Sequence, residues 1–337
     1  MDPLSQGVIG ASLAQSTVKN KGYLVSAGIL GFLSGMAPDL DIFIRSEQDP
    51  LLFLEYHRQF THSLVFIPIG GLICASILFF ILRLKKKLPF KEAWIFSTLG
   101  YGTHGLLDAC TSYGTLLLWP FSYNRISWNN ISIIDPLFTL PILILILMSV
   151  FLKKTLLARM ALIWGLLYLA LGVVQHNKAK NITKELAEER GHTIERLQIK
   201  PTIGNIFLWK SIYESSGYFY TDGISMYPNP KIYIGEKIKK FNMDDDFLWL
   251  NKESQQAKDI KRFEWFSGGY IAVSKTNPNQ IFDIRYSMLP NEINGLWGIE
   301  LNKNASKDEH ISYVTNRNLS RSKLKDLWGL LRNSYTE

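Results

Sequence analysis

Acidic and imidazole side chains lie at the ends of long apolar stretches in the first half of the chain. The residues concerned are Asp39, Asp41, His57, His62, His104, Asp108 and Asp135. Carboxylates and imidazoles are costly in hydrocarbon unless they are paired or bound to a partner. They are also the side chains that hold divalent ions such as Zn²⁺. The pattern therefore predicts a metal site at a membrane surface.

The most specific local pattern is His104 followed four residues later by Asp108. On an α-helix this spacing puts both side chains on one face, one turn apart. An imidazole and a carboxylate placed in this way can bind one ion. A polar pair that holds two helices together is the alternative interpretation.

The run HRQFTHS contains His57, Arg58 and His62. Histidines five apart do not share a helix face, so at least one is expected in the preceding loop. The Arg58 guanidinium suits a phosphate or carboxylate and would stabilise negative charge on a substrate. Satisfied imidazoles at the membrane interface are the alternative.

Asp39 and Asp41 follow Pro38 in the run APDLD, where a loop or frayed helix end would let both point inward. Both are predicted metal ligands, and Asp41 is also a predicted general base. A solvated helix end is the alternative. Asp135 precedes Pro136, so it is either a further ligand or a helix N-cap. Gln6 is expected to hydrogen-bond a ligand rather than to act as one.

The elements that must position these residues are apolar helices. Residues 23–44, 62–82, 93–110, 133–152 and 156–174 are each long enough to span a bilayer, and a shorter apolar helix is expected over residues 4–18. The sequence therefore predicts a mostly α membrane domain over residues 1–175, with about five transmembrane helices and a short N-terminal helix.

Basic residues predict the orientation of these helices. They cluster at Lys19 and Lys21, within residues 83–91, which include Lys85 and Lys86, and at Lys153, Lys154 and Arg159. If these loops are cytoplasmic, every candidate site residue falls on the opposite face, and so does the C-terminal part of the chain. The net charge of +8 is then explained by the lipid bilayer, and no nucleic-acid partner is expected.

Residues 176–337 have mixed charge and short alternating or aromatic segments. They predict a small soluble α+β domain with an antiparallel sheet. Strands are expected at 205–213, 218–224, 263–275, 281–288 and 296–301, and helices at 181–195 and 322–332. The polar stretch 244–260 is either a helix or a loop.

Five segments together resemble the YdjM-like family of inner-membrane metal-dependent hydrolases, whose Escherichia coli member is LexA-regulated. They are MDPLSQGVIGASLAQ, APDLD, EYHRQFTHSL, HGLLDACTSYGTLLLWPFS and NISIIDPLFTLP, and they span most of residues 1–175. The resemblance implies a multi-pass protein of the bacterial inner membrane. It also implies metal contacts at Asp39, Asp41, His57, His62, His104 and Asp108, with Asp135 as a further contact. The family has been likened to zinc-dependent phospholipase C and P1-nuclease-like proteins.

A hydrolase is the leading functional hypothesis. A divalent metal, with zinc favoured, would activate water against a phosphoester or ester, and a site at the membrane surface favours a lipid-like substrate. The alternative is a non-enzymatic metal-binding protein whose soluble domain recruits an unidentified envelope partner. A transporter is disfavoured because its polar residues would lie near the bilayer midplane rather than at helix ends.

Overall fold

A computed structural model describes residues 1–84, 87–316 and 320–334. Lys85 and Lys86, which belong to a predicted basic loop, lie outside the described residues. The chain divides into two compact units. The helical unit comprises Met1–Phe43, Tyr56–Val174 and Ile203–Ile206, and the sheet unit comprises Ile44–Glu55, Gln175–Thr202 and Phe207–Glu337.

The described residues up to Glu189 form seven α-helices, joined by turns and by a longer loop between α5 and α6. Their bounds are α1 Pro3–Ser16, α2 Leu24–Met36, α3 Leu52–Tyr56, α4 Ile67–Ile81, α5 Phe90–Ala109, α6 Pro136–Phe151 and α7 Thr155–Glu189. Within the helical unit, α1 packs against α2, α5 and α6, while α5 also packs against α2 and α4. The tight turns Ala37–Phe43 and Phe60–His62 are 3₁₀ helices.

Three helical stretches of the described residues are long and apolar enough to cross a membrane. They are Lys21–Phe43, Leu64–Ile81 and Thr155–Glu189, and α6 is a shorter apolar helix. The predicted helical region with membrane-crossing helices is confirmed, but the count of five spans is not. Helix α5 has 20 residues, yet glycine, hydroxyl, histidine and aspartate side chains reduce its apolar character.

Glycine allows three helix backbones to meet at one point of the helical unit. A Cβ on Gly31 of α2 would lie 2.5 Å from the carbonyl oxygen of Gly10 of α1. A Cβ on Gly100 of α5 would run into the carbonyl of Gly31. Small residues permit such close packing of apolar helices. This crossing fixes α1, α2 and α5 relative to one another.

Helix α7 is continuous over 35 residues. It includes the predicted span 156–174 and most of the separate helix predicted over 181–195. The first part of α7, up to Val174, belongs to the helical unit. There, Ser12 of α1 donates a hydrogen bond to the Ala158 carbonyl oxygen at 2.9 Å. Gly165 lies beside side chains of α1 and α6. These contacts anchor the first half of α7 to the helical unit.

The sheet unit contains two antiparallel sheets, where the sequence predicted one. The first has the strand order β1-β2-β3-β4, with β5 also paired to β3, and the second has the order β6-β7-β8-β9. The strands are β1 Arg196–Pro201, β2 Leu208–Ser215, β3 Tyr218–Ser225, β4 Lys231–Tyr233, β5 Lys237–Lys239, β6 Ile271–Val273, β7 Gln280–Asp283, β8 Trp297–Glu300 and β9 Ser312–Thr315.

Besides most of α3 and the last part of α7, the described residues of the sheet unit form α8 Met243–Asp246, α9 Gln255–Phe266 and α10 Arg321–Leu331. The predicted closing helix is confirmed as α10. The strand predicted over residues 263–275 is wrong in its first part, because α9 continues to Phe266. One buried apolar cluster joins residues of both sheets, including Ile212, Phe219 and Phe282.

A candidate metal centre in the helical unit

Three elements of the helical unit bring the predicted residues together. Asp39 and Asp41 lie on the turn after α2, His62 lies on the turn before α4, and His104 and Asp108 lie on α5. The absence of a side chain at Gly105 allows the turn Phe60–His62 to pack closely against α5. A Cβ at this position would run into the carbonyl oxygen of His62.

Four of these residues form a cluster, Asp39, His62, His104 and Asp108, that we call the four-residue cluster. The Nε2 atoms of His62 and His104 are 2.9 Å apart. Asp39 Oδ1 lies 3.4 Å from each of these nitrogens. Asp108 Oδ2 lies 3.2 Å from His62 Nε2 and 3.6 Å from His104 Nε2.

These separations fit a small divalent cation. Bonds of about 2.0–2.1 Å from zinc to nitrogen and oxygen imply distances of roughly 3.3 Å between neighbouring ligand atoms of a tetrahedron. The five separations given above, 2.9–3.6 Å, bracket that value. Asp39 Oδ1 and Asp108 Oδ2 are buried and have no partner with hydrogen-bond geometry, although Arg58 Nε lies at ion-pair distance from Asp108 Oδ2. The cluster could therefore hold a metal ion.

The second nitrogen of each histidine is held by a partner outside the four-residue cluster. His104 Nδ1 lies 2.6 Å from the Gly35 carbonyl oxygen, which can only accept, so Nδ1 carries the proton. His62 Nδ1 lies 3.2 Å from Asp41 Oδ2 and 3.0 Å from Thr61 Oγ1. Such contacts fix the orientation and tautomer of metal-binding imidazoles. Both Nε2 atoms consequently face the same point.

A second group, Asp39, Asp41 and His57, also has the geometry to hold an ion. Here, however, His57 Nδ1 and Asp41 Oδ1 already form a 2.7 Å hydrogen bond. Asp41 Oδ2 accepts hydrogen bonds from the Arg58 backbone N–H at 3.0 Å and from Thr61 Oγ1 at 2.7 Å. Burial, together with the Arg58 charge, lowers the pKa of His57. Asp41 is therefore satisfied by its protein neighbours.

Asp108 is in contact with the positively charged groups of the site. Arg58 Nε lies 3.0 Å from Asp108 Oδ2, and Arg58 Nη1 donates to Thr111 Oγ1 at 3.0 Å. Gln6 donates a hydrogen bond to Asp108 Oδ1 at 2.8 Å. This contact agrees with the prediction that Gln6 hydrogen-bonds a candidate ligand. The amino group of Met1 contacts the same oxygen. Arg58 is buried, so its charge acts on the site with little solvent screening.

Asp135 is not part of either metal-capable group found among the described residues. It is the N-cap of α6, where its side chain accepts from the Phe138 backbone N–H at 3.3 Å. Tyr168 Oη also donates to both carboxylate oxygens, at 2.9 and 3.0 Å. The structure thus gives Asp135 the capping role that the sequence left open.

Comparison with known proteins bears on the same region. A family model described as YdjM inner membrane protein matches residues 1–179, which is more than half of the chain. The chain belongs to the YdjM inner membrane protein family. All residues of the four-residue cluster lie inside the YdjM match, whereas most of the sheet unit lies outside it.

Two relatives show how far the likeness extends. Over 114 residues the chain is 26% identical to the uncharacterized protein YfhP of Bacillus subtilis, covering 34% of each chain. Over 97 residues it is 34% identical to the inner membrane protein YbcI of Escherichia coli, covering 28% of this chain and 54% of YbcI. The matches thus span about a third and about half of these relatives. No solved structure matches the chain.

Proposed function

We propose that this YdjM-family protein is a membrane-bound, metal-dependent hydrolase. The observation that carries the proposal is the four-residue cluster, in which nitrogen and oxygen atoms from three separate elements surround one point at ligand spacing. A divalent ion held there, with zinc favoured by the donor set, would act as a Lewis acid that acidifies water and polarises an ester oxygen.

Unequal exposure within the cluster suggests a division of roles. The side chains of His62, His104 and Asp108 are fully buried, whereas that of Asp39 is 24% exposed. We assign the three buried residues as the ligands that hold the ion. Asp39, on the accessible side, would take the proton from the attacking water as general base. Catalytic zinc sites commonly have three protein ligands and one open position.

The surrounding residues would orient the ligands and stabilise negative charge. Both carboxylate oxygens of Asp41 accept hydrogen bonds from protein groups. We therefore propose that Asp41 orients His62 and is not the general base that the sequence predicted. The buried Arg58 guanidinium, held by Thr111 and facing Asp108, would stabilise charge that develops on a phosphoryl or acyl oxygen.

The surface beside the cluster favours a lipid-like substrate. Leu40 lies between Asp39 and Asp41 in sequence and Phe43 lies two residues after Asp41, and they are 62% and 78% exposed. Phe121, 84% exposed, belongs to a loop whose Arg125 donates a hydrogen bond to the His57 carbonyl at 3.0 Å. Exposed apolar and aromatic side chains suit the membrane interface. A phosphoester or ester of a lipid is therefore the proposed substrate class.

The basic loops support an orientation for this arrangement. With Lys19, Lys21, Lys153 and Lys154 in the cytoplasm, the four-residue cluster would lie at the outer face of the inner membrane. The C-terminal end of α7 would then leave the bilayer on that same side, and the sheet unit would be extracytoplasmic. This topology rests on the charge distribution alone.

Hydrolysis can be tested on detergent-purified protein loaded with zinc. The substrates would be bis(p-nitrophenyl) phosphate and a phospholipid in mixed micelles. We expect a rate that falls at least about 100-fold in Asp39→Asn, because the proposed base loses its charge. Zinc content should remain close to that of the wild type. Hydrolysis that is equally fast in Asp39→Asn, or that persists after zinc removal, would contradict the proposal.

One observation favours a second function. If Asp39 is a fourth ligand, the cluster closes a tetrahedral site, as in structural zinc centres. The protein would then be a non-enzymatic metal-binding protein whose sheet unit recruits an envelope partner. Under this alternative, Asp39→Asn would weaken zinc binding, and no substrate would be turned over by the wild type.

A further inference from the structure

Two lysines are buried side by side in the first sheet of the sheet unit. Lys200 of β1 and Lys210 of β2 are directly opposite each other in the antiparallel register. Their exposed fractions are only 3% and 4%. Opposed residues of an antiparallel pair project from the same face of the sheet. Two like charges are thus brought together out of solvent, an arrangement that is costly unless it is compensated.

Their immediate partners are neutral. Lys210 Nζ donates to Ser287 Oγ and to the Glu292 carbonyl oxygen, each at 2.6 Å. Lys200 Nζ is buried and has no hydrogen-bond partner, and it lies 3.1 Å from the centroid of the Tyr286 ring. An aromatic face attracts a cation but cannot neutralise it. Among the described residues, neither ammonium forms an ion pair with a carboxylate.

A third buried cation, Arg285, lies close to the two lysines and has its own carboxylate partner. Arg285 is 7% exposed and is paired with the fully buried Asp283 through several short contacts. Since Asp283 is paired with Arg285, it is not left as an ion-pair partner for Lys200 or Lys210. Burial, with Arg285 and Lys210 nearby, lowers the pKa of Lys200, and burial lowers that of Lys210 to about 7.

Other carboxylates that act on Lys210 are engaged elsewhere. Glu292 is bound by Lys323 at 3.1 Å, and Glu236 is bound by Lys275. Each of these carboxylates is more exposed than the buried lysines and is balanced by its own cation. The interior of the sheet unit therefore holds two lysines that have no carboxylate partner among the described residues. Their lowered pKa values mean that a bound anion would favour the protonated form of both amines.

We propose that Lys200 and Lys210 form a binding site for a small oxyanion of the phosphate or sulfate type. Lysine is a common phosphate-binding residue, acting as a compact positive charge. The Lys200 amino group has N–H donors that no acceptor among the described residues uses. The Ser287 hydroxyl accepts from Lys210 and donates its own proton to the Leu289 carbonyl oxygen, so the two lysines supply the donors of the site. Because both lysines are almost fully buried, the site would exclude a bulky headgroup, and a small anion is the proposed ligand. This site is independent of the proposed hydrolase activity.

Equilibrium dialysis of the full-length protein against radiolabelled inorganic phosphate tests the proposal. The buffer would contain a chelator, so that a metal ion does not bind the phosphate. We expect one phosphate per chain, displaced by sulfate and not by an equal concentration of chloride. Lys200→Met and Lys210→Met should each lower the affinity at least tenfold. Lys252→Met, which removes an exposed lysine, should leave it unchanged.

Both lysine variants are expected to fold, because methionine is similar in length to lysine and carries no charge that would have to be buried. Each variant would be accepted only if it elutes as the wild type does in gel filtration. Asp108→Asn should bind phosphate normally, which separates this site from the four-residue cluster. No phosphate binding by the wild type, or equal binding by wild type, Lys200→Met and Lys210→Met, would overturn the proposal.

Discussion

Asp108→Asn is expected to abolish stoichiometric metal binding, whereas Asp135→Asn is expected to leave it intact. Both aspartates are fully buried and both substitutions replace a carboxylate by an amide. Asp108 Oδ2 faces the Nε2 atoms of His62 and His104, so its charge is part of the site. Asp135 caps α6, and asparagine is an equally good N-cap.

The measurement is metal content by mass spectrometry after purification and zinc loading, followed by dialysis. We expect about one zinc per chain in the wild type and in Asp135→Asn. Loss of an outer partner of a metal ligand typically reduces affinity about 10–100-fold, and removal of a ligand should exceed that range. Equal zinc content in Asp108→Asn and in the wild type would refute the assignment of Asp108.

Gly31→Ala is expected to destabilise the helical unit and to displace the site at the same time. The new Cβ would lie 2.5 Å from the Gly10 carbonyl oxygen and 2.7 Å from the Ala14 Cβ. Over-packing typically costs about 1–3 kcal/mol, and we expect the upper end because backbone is obstructed. Since α1, α2 and α5 meet here, separating them moves Gln6 and Asp39 away from His104.

Gly165→Ala is the matched control, since it also places a methyl group on a buried face of an apolar helix. Its Cβ would contact side chains of Ile9, Phe138 and Ile142 at an ordinary 3.4–3.5 Å. Alanine also favours the helix over glycine by about 0.5–1 kcal/mol. Thermal unfolding in detergent should therefore show a lower midpoint for Gly31→Ala alone. Similar midpoints for both variants would show that the close crossing is unimportant for stability.

Much of the site is predictable because its chemistry is local in sequence. The i,i+4 spacing of His104 and Asp108 is sufficient to put both side chains on one face of α5. The alternation of the apolar segments then predicts that Asp39, which follows α2, and His62, which precedes α4, lie on the same side of the membrane. The partners of the imidazoles are harder to predict. Backbone carbonyls such as that of Gly35 carry no side-chain signal, and the position of Thr61 in sequence indicates only a helix cap.

Asp135 shows why residue type alone is ambiguous. An aspartate before Pro136 at the start of an apolar helix satisfies the requirements of an N-cap and of a buried ligand equally well. The decision depends on Tyr168, which lies 33 residues later in sequence and donates to both carboxylate oxygens. No periodicity within α6 or α7 links these two residues.

The sequence predicts the α+β class of the sheet unit better than the positions of its individual strands. Strand β3 is expected over nearly the residues where it occurs, because its aromatic and β-branched residues alternate between turn signals. Strands β4 and β5 are not predicted, since they have three residues each and contain Lys231, Lys237 and Lys239. Short, lysine-bearing strands are typical of sheet edges and lack an apolar pattern. Their pairing with β3 defines them instead.

X-ray absorption spectroscopy of the zinc-loaded protein would test the central claim most directly. The four-residue cluster predicts a first shell of nitrogen and oxygen at about 2.0–2.2 Å, with two imidazole ligands and no sulfur. Loss of the imidazole signal in His104→Ala would tie this shell to the cluster. A zinc–sulfur distance of about 2.3 Å would instead place the ion on Cys74 or Cys110. A shell without imidazole in the wild type would equally contradict a centre built on His62 and His104.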